Sequence, residues 1–168
     1  MSCQYLLMTD PFEIALRVLC AALAGILLGL NRWLHHKSAG VKTHTLVAIG
    51  SAAAVMIVLP GTAGDGPAMA AMDATSRVVQ GVLAGIGFLG AGVIIHNARG
   101  KRIQGLTTAA SIWATTVLGV AFGKGLYTVA SIALVGIGLS LLSGTWLERQ
   151  MGRLIGHDAA VPGEDNLP

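Results

Sequence analysis

Val78–Ile95 reads VVQGVLAGIGFLGAGVII, a run of 18 residues with no charge and five glycines. As an α-helix it is about 27 Å long, close to the ~30 Å hydrocarbon core of a bilayer. Nothing in it alternates with a period of two, which argues against a membrane β-strand. Glycine weakens a helix in water, but in a bilayer it lets neighbouring backbones approach closely. Four further apolar runs flank this one: Phe12–Leu30, Val41–Leu59, Leu106–Phe122 and Leu126–Trp146. Together the five predict an all-α fold, a polytopic membrane helix bundle of about five transmembrane helices. The second run is the weakest, because Lys42 and His44 stand at its start and must snorkel to the interface.

The whole composition agrees with a bilayer as solvent. Of 168 residues, 54% are hydrophobic and 11% charged, and the mean hydropathy is +0.70. Soluble domains carry about a quarter charged residues, so this chain cannot cover a water-facing surface. Intrinsic disorder is excluded by the apolar content. A net charge of +3 is too small an excess for nucleic-acid binding by charge. Cys3 and Cys20 do not form a CxxC pair, so neither a disulfide framework nor a zinc site is expected. Met1–Asp10 lacks the basic start of a secretory leader.

Loop charges set an expected orientation. Arg32, Lys37, Lys42, Arg99, Lys101, Arg102, Arg149 and Arg153 fall on one side, eight of the eleven basic residues. Arg77 and Lys124 fall on the other, and Arg17 lies inside the first run. Basic loops stay in the cytoplasm, which places the N-terminus outside and the C-terminus inside. Residues 1–147 then form the transmembrane domain and 148–168 a short polar cytoplasmic tail. Pro60–Ala74, with three glycines and two prolines, reads as an irregular outer loop.

Helical spacing separates the faces of the runs. Ala21, Gly25, Gly29 and Arg32 share one stripe, and Thr108, Ser111, Thr115, Gly119 and Gly123 share another, both with close-packing character. The third run is thin on two sides, with Gly81, Gly85, Phe88 and Gly92 on one and Gly87 and Gly90 on the other. That pattern predicts a helix sandwiched at the centre of the bundle. Gly87–Gly90 reads either as tight packing or as a hinge. Glu13 and Arg17 at i,i+4 predict an ion pair near the outer boundary. Asp73 is placed to cap the third helix or pair with Arg77, close to Gln80. Trp113 lies too deep for the interfacial belt and is expected to face protein.

Carboxylates inform by where they are missing. Between Val78 and Leu147 there is no Asp or Glu, and the second run has none. A magnesium path favours oxygen ligands, and a proton relay favours embedded carboxylates or histidines. His35, His36 and His44 lie without cysteine or acidic partners and read as solvated or interfacial rather than metal-binding. No nucleophile–base pair or phosphate loop is visible. No enzyme activity, metal or cofactor is expected.

Four blocks resemble the MgtC/SapB membrane proteins. They are Val79–Gly81 with Gly85–Gly92, Gly105–Trp113, Ala39–Val47, and Gly29–Arg32. The resemblance marks Arg32, Lys42, Thr43, His44, Asp73, Arg77, Gln80, Gly81, Gly85, Gly87, Gly90, Gly92, Arg102, Gly105, Thr107, Thr108 and Trp113 as motif or partner-contact candidates. The family usually has glutamate where this chain has Asn31, arginine at Lys42, and often arginine at Gln104. The resemblance implies a multi-pass protein of the bacterial inner membrane, linked to growth under magnesium limitation and, in pathogens, to survival in host cells. It further implies a regulator that docks on another membrane complex, with the F-type ATP synthase membrane sector as the family target. The alternative is a passive or oligomeric transporter or channel for Mg²⁺ or another small solute. Expected partners are the bilayer, a membrane protein and, through the same small-residue stripes, a second copy.

Overall fold

The computed structural model describes residues 10–59, 68–96 and 105–154, and these form five helices with no strand among them. Helix α1 (Pro11–Leu34) starts where Asp10 Oδ1 accepts from the Phe12 N–H at 3.1 Å, with Pro11 pre-set for the first turn. It ends in a tight reversal: the Lys37 N–H donates to Arg32 O at 3.1 Å, and His36 takes a positive φ of 50°. Gly40 then opens α2 (Val41–Met56). Helices α3 (Ala68–His96), α4 (Leu106–Gly123) and α5 (Tyr127–Leu154) complete the order.

The two small-residue stripes are what bring the helices together. A methyl group at Gly25 would lie 2.7 Å from His44 O, and one at Gly29 2.6 Å from Val41 Cα. The α1 and α2 backbones therefore touch along an antiparallel hairpin. One methyl at Gly123 would lie 2.6 Å from Ala52 O, and Gly119 seats in the same way on Ala48 O. Thus α4 runs parallel to α2 at backbone contact, which only the absence of a side chain permits. Ala21, Ala24, Leu28, Ala48, Ala52, Leu118, Phe122 and Ala130 form the core around these seams. The central helix is α4, which packs on all four of the others.

That placement corrects the expectation for the third run. Helix α3 is peripheral, and almost none of its span Met72–Ile94 is buried. Added methyls at Gly81, Gly85, Gly87 and Gly92 would meet nothing within 4 Å, while one at Gly90 would touch Ala109 Cβ at 3.5 Å. Thinness on two sides permits a sandwich but does not supply the second neighbour. Nor does Gly87–Gly90 break the helix, which is continuous from Ala68 to His96. Its start also converts residues 68–74, expected in the outer loop, into two further turns. Four helices are long and apolar enough to cross a membrane. The expected fifth, α2, has 16 helical residues, about 24 Å, and continues only as the turn Ile57–Leu59.

At the end of the bundle away from Arg32, a polar network ties α1 to the α4–α5 turn. Arg17 Nε donates to Glu13 Oε1 at 2.9 Å, the ion pair expected from their spacing. Arg17 Nη1 donates to Gly123 O at 3.1 Å, and the Tyr127 hydroxyl donates to Glu13 Oε1 at 2.7 Å. The turn itself needs Gly125, whose φ is 73° and whose Cα faces the Arg17 guanidinium. Tyr127→Phe removes one hydrogen bond to a carboxylate and is expected to lower stability by about 1.5 kcal/mol, read from reversible unfolding in mixed micelles. An unchanged unfolding midpoint would show that the network carries no stability.

Candidate functional site

Two regions collect the residues singled out by sequence. The first is a buried polar cluster where the C-terminal end of α1 meets the first turns of α2 and α4. Arg32 is 5% exposed and donates from Nη2 to Thr108 Oγ1 at 2.5 Å. Its Nε is buried without a hydrogen-bond partner. No carboxylate is near in sequence: between Glu13 and Asp65, and again between Asp73 and Glu148, the chain has none. Beside it, His44 is fully buried, with Nδ1 2.9 Å from Gly40 O and Nε2 3.1 Å from Ser111 Oγ. Since Gly40 O is an acceptor, Nδ1 carries the hydrogen of that bond. The Ser111 hydroxyl also lies 2.8 Å from Thr108 O, and its single hydrogen is given to only one of the two acceptors at a time.

This corrects the expectation that His44 is solvated or interfacial. His35 and His36 are exposed as expected, but His44 belongs to the inward face of α2 with Ala48, Ser51, Ala52 and Val55. Lys42 and Thr43, on the other side of the same helix, are exposed. Ser111 is the member of the cluster that was read only as a small packing residue.

The second region is the outward face of α3. Gly81, Gly85, Gly87, Phe88 and Gly92 are all exposed, and Phe88 is 82% exposed. Between this helix, the first turns of α4 and the segment 38–43 lies a groove of about 410 Å³, with Ser38, Ala39 and Thr43 on one wall and Phe88 and Ile112 on others. At the opposite end of α3, Arg77 Nη2 pairs with Asp73 Oδ2 at 2.9 Å, and Gln80 Nε2 reaches Ser76 Oγ at 3.4 Å. The pair is exposed and lies within one helix. Gly105 takes a φ of 87° as the N-cap of α4, Thr107 is exposed and Thr108 buried. Trp113, expected to face protein, is 51% exposed. It lies two residues from Ser111, about 200° round the helix from the buried stripe. Arg102 lies outside the described residues. Among the described residues no group of three His, Cys, Asp or Glu side chains gathers.

The stripe Thr108–Gly123 therefore closes the bundle and is not a free partner surface. The glycine face of α3 is left open, as are Gly136, Gly138 and Gly144 of α5.

Comparison with known proteins places this arrangement. The MgtC family profile matches residues 18–150. SrpB of Synechococcus elongatus is 43% identical over 165 residues, covering 89% of this chain and 88% of SrpB. MgtC of Brucella abortus is 39% identical and YhiD of Escherichia coli K12 37%, each over 68% of this chain. The chain spans only about half of their lengths, 44% of MgtC and 53% of YhiD. No solved structure matches. Residues 18–150 reach all five helices, leaving out only the first two turns of α1 and the last turn of α5, and the chain belongs to the MgtC family of membrane proteins.

Proposed function

We propose that this protein is a membrane-embedded modulator, which docks through the outward face of α3 on a transmembrane helix of another complex. The observation that carries the reading is the open glycine row Gly81, Gly85 and Gly92, with Phe88 standing between its members. Association of helices in lipid rests on close packing, because lipid tails are as apolar as leucine. A glycine face turned to lipid forgoes that packing, and a partner helix restores it without burying any charge. The membrane sector of the F-type ATP synthase is the partner that the family resemblance names, and the bacterial inner membrane is its location. Adaptation to low Mg²⁺ is the physiological setting that the same resemblance suggests.

YhiD is named, provisionally, as a magnesium transporter. Direct transport by this chain has less support. The carboxylates that commonly hold Mg²⁺ are missing from the sequence between Asp73 and Glu148. Purified protein in magnesium-free liposomes separates the readings. No protein-dependent Mg²⁺ uptake is expected, together with altered ATP-driven proton pumping when the protein is added to inverted membrane vesicles. Robust uptake would overturn the modulator reading, and unchanged pumping would remove the ATP synthase as its target.

A further inference from the structure

We propose that the groove between α3, the first turns of α4 and the segment 38–43 is a seat for one anionic phospholipid. The acyl chain would lie in the groove and the phosphate on its basic rim. The groove shares Phe88 and Gly92 with the docking face, and the lysine variants below, which leave α3 untouched, separate a failure of this site from a failure of the modulator reading.

Three features select this occupant. First, the groove has an apolar wall: Leu89, Val93 and Ile112 line it, and Leu89 is about half exposed. A lipid tail can enter sideways from the bilayer. Second, Ser38 and Thr43 also line it and supply hydroxyl groups. Their immediate chain neighbours Lys37 and Lys42 are exposed. Phosphate oxygens accept from hydroxyls and pair with ammonium groups, whereas a zwitterionic headgroup brings its own cation to the same rim. Third, the chain segment that carries Ser38 and Thr43 is basic. From Leu30 to Gly64 the chain carries Arg32, Lys37 and Lys42 and no Asp or Glu. Arg32 adds a buried charge, without a carboxylate partner among the described residues, one turn from Ile112 through its contact with Thr108. Charge and shape thus converge on a molecule with one apolar and one anionic end.

Native mass spectrometry after exposure to equimolar phosphatidylglycerol and phosphatidylcholine tests the proposal. The intact protein is expected to retain phosphatidylglycerol preferentially. Lys37→Gln and Lys42→Gln each lower that preference about five-fold. Gly92→Leu fills the groove and abolishes retention of both lipids. It should fold, since a Cβ at Gly92 meets nothing within 4 Å. Leu89→Trp is a second groove-filling variant with the same expected loss. Equal retention of the two lipids by the intact protein would overturn the proposal, as would unchanged retention by both groove-filling variants. Displacement of bound lipid by millimolar inorganic phosphate would also overturn it, because the rim would then be a site for the free anion.

Discussion

Gly119→Ala is expected to destabilise the protein by about 3 kcal/mol, while Gly85→Ala, the same added methyl on α3, leaves stability unchanged or raises it slightly. At Gly119 the methyl meets backbone, the carbonyl of Ala48, and lies 2.9 Å from Ser51 Cβ. Neither can turn aside as a flexible side chain would, so α4 must move off α2. Because α4 packs on all the other helices, the displacement is felt across the bundle. At Gly85 nothing lies within 4 Å, and alanine only restricts the unfolded chain and favours the helix. Thermal and denaturant unfolding in the same micelle measures both. Equal effects at the two positions would contradict the assignment of α4 as the central helix and α3 as the peripheral one.

His44→Ala is expected to cost about 2–4 kcal/mol. It removes the contacts to Gly40 O and Ser111 Oγ, empties a fully buried volume, and leaves the Gly40 carbonyl without its side-chain donor. Ser111→Ala alone is expected to cost about 1 kcal/mol, since the serine retains no charged partner. In the His44→Ala background the serine change should cost clearly less, because its imidazole partner is already gone. Strict additivity would show that the 3.1 Å contact contributes nothing to folding.

Much of this architecture was legible in the sequence. The α1 stripe Ala21–Gly25–Gly29 and the α4 stripe Thr108–Gly123 both pack inward, and the Glu13–Arg17 and Asp73–Arg77 pairs form at the distances that i,i+4 spacing allows. The glycines of α3 were legible as a thin surface, but a sequence says how closely a neighbour could approach, not whether one is there. The lack of cysteine or acidic partners argues against a metal site at His44 but does not place it in solvent. Its helical spacing to Ala48, Ser51 and Val55 marks the inward face. Depth along the run predicts a protein-facing Trp113, but its angle from Ser111 turns it outward. The groove was not legible, because it is assembled from three separate segments whose residues have no common spacing.

Photo-crosslinking in native membranes tests the central claim most directly. A photoreactive residue is placed at Gly85 or Phe88 on α3, and at Leu23 or Leu27 on the exposed face of α1 as reference. The account expects adducts with a different membrane protein from the α3 positions and lipid adducts alone from the α1 positions. Lipid adducts alone from both faces, or α3 adducts only with a second copy of this chain, would contradict it.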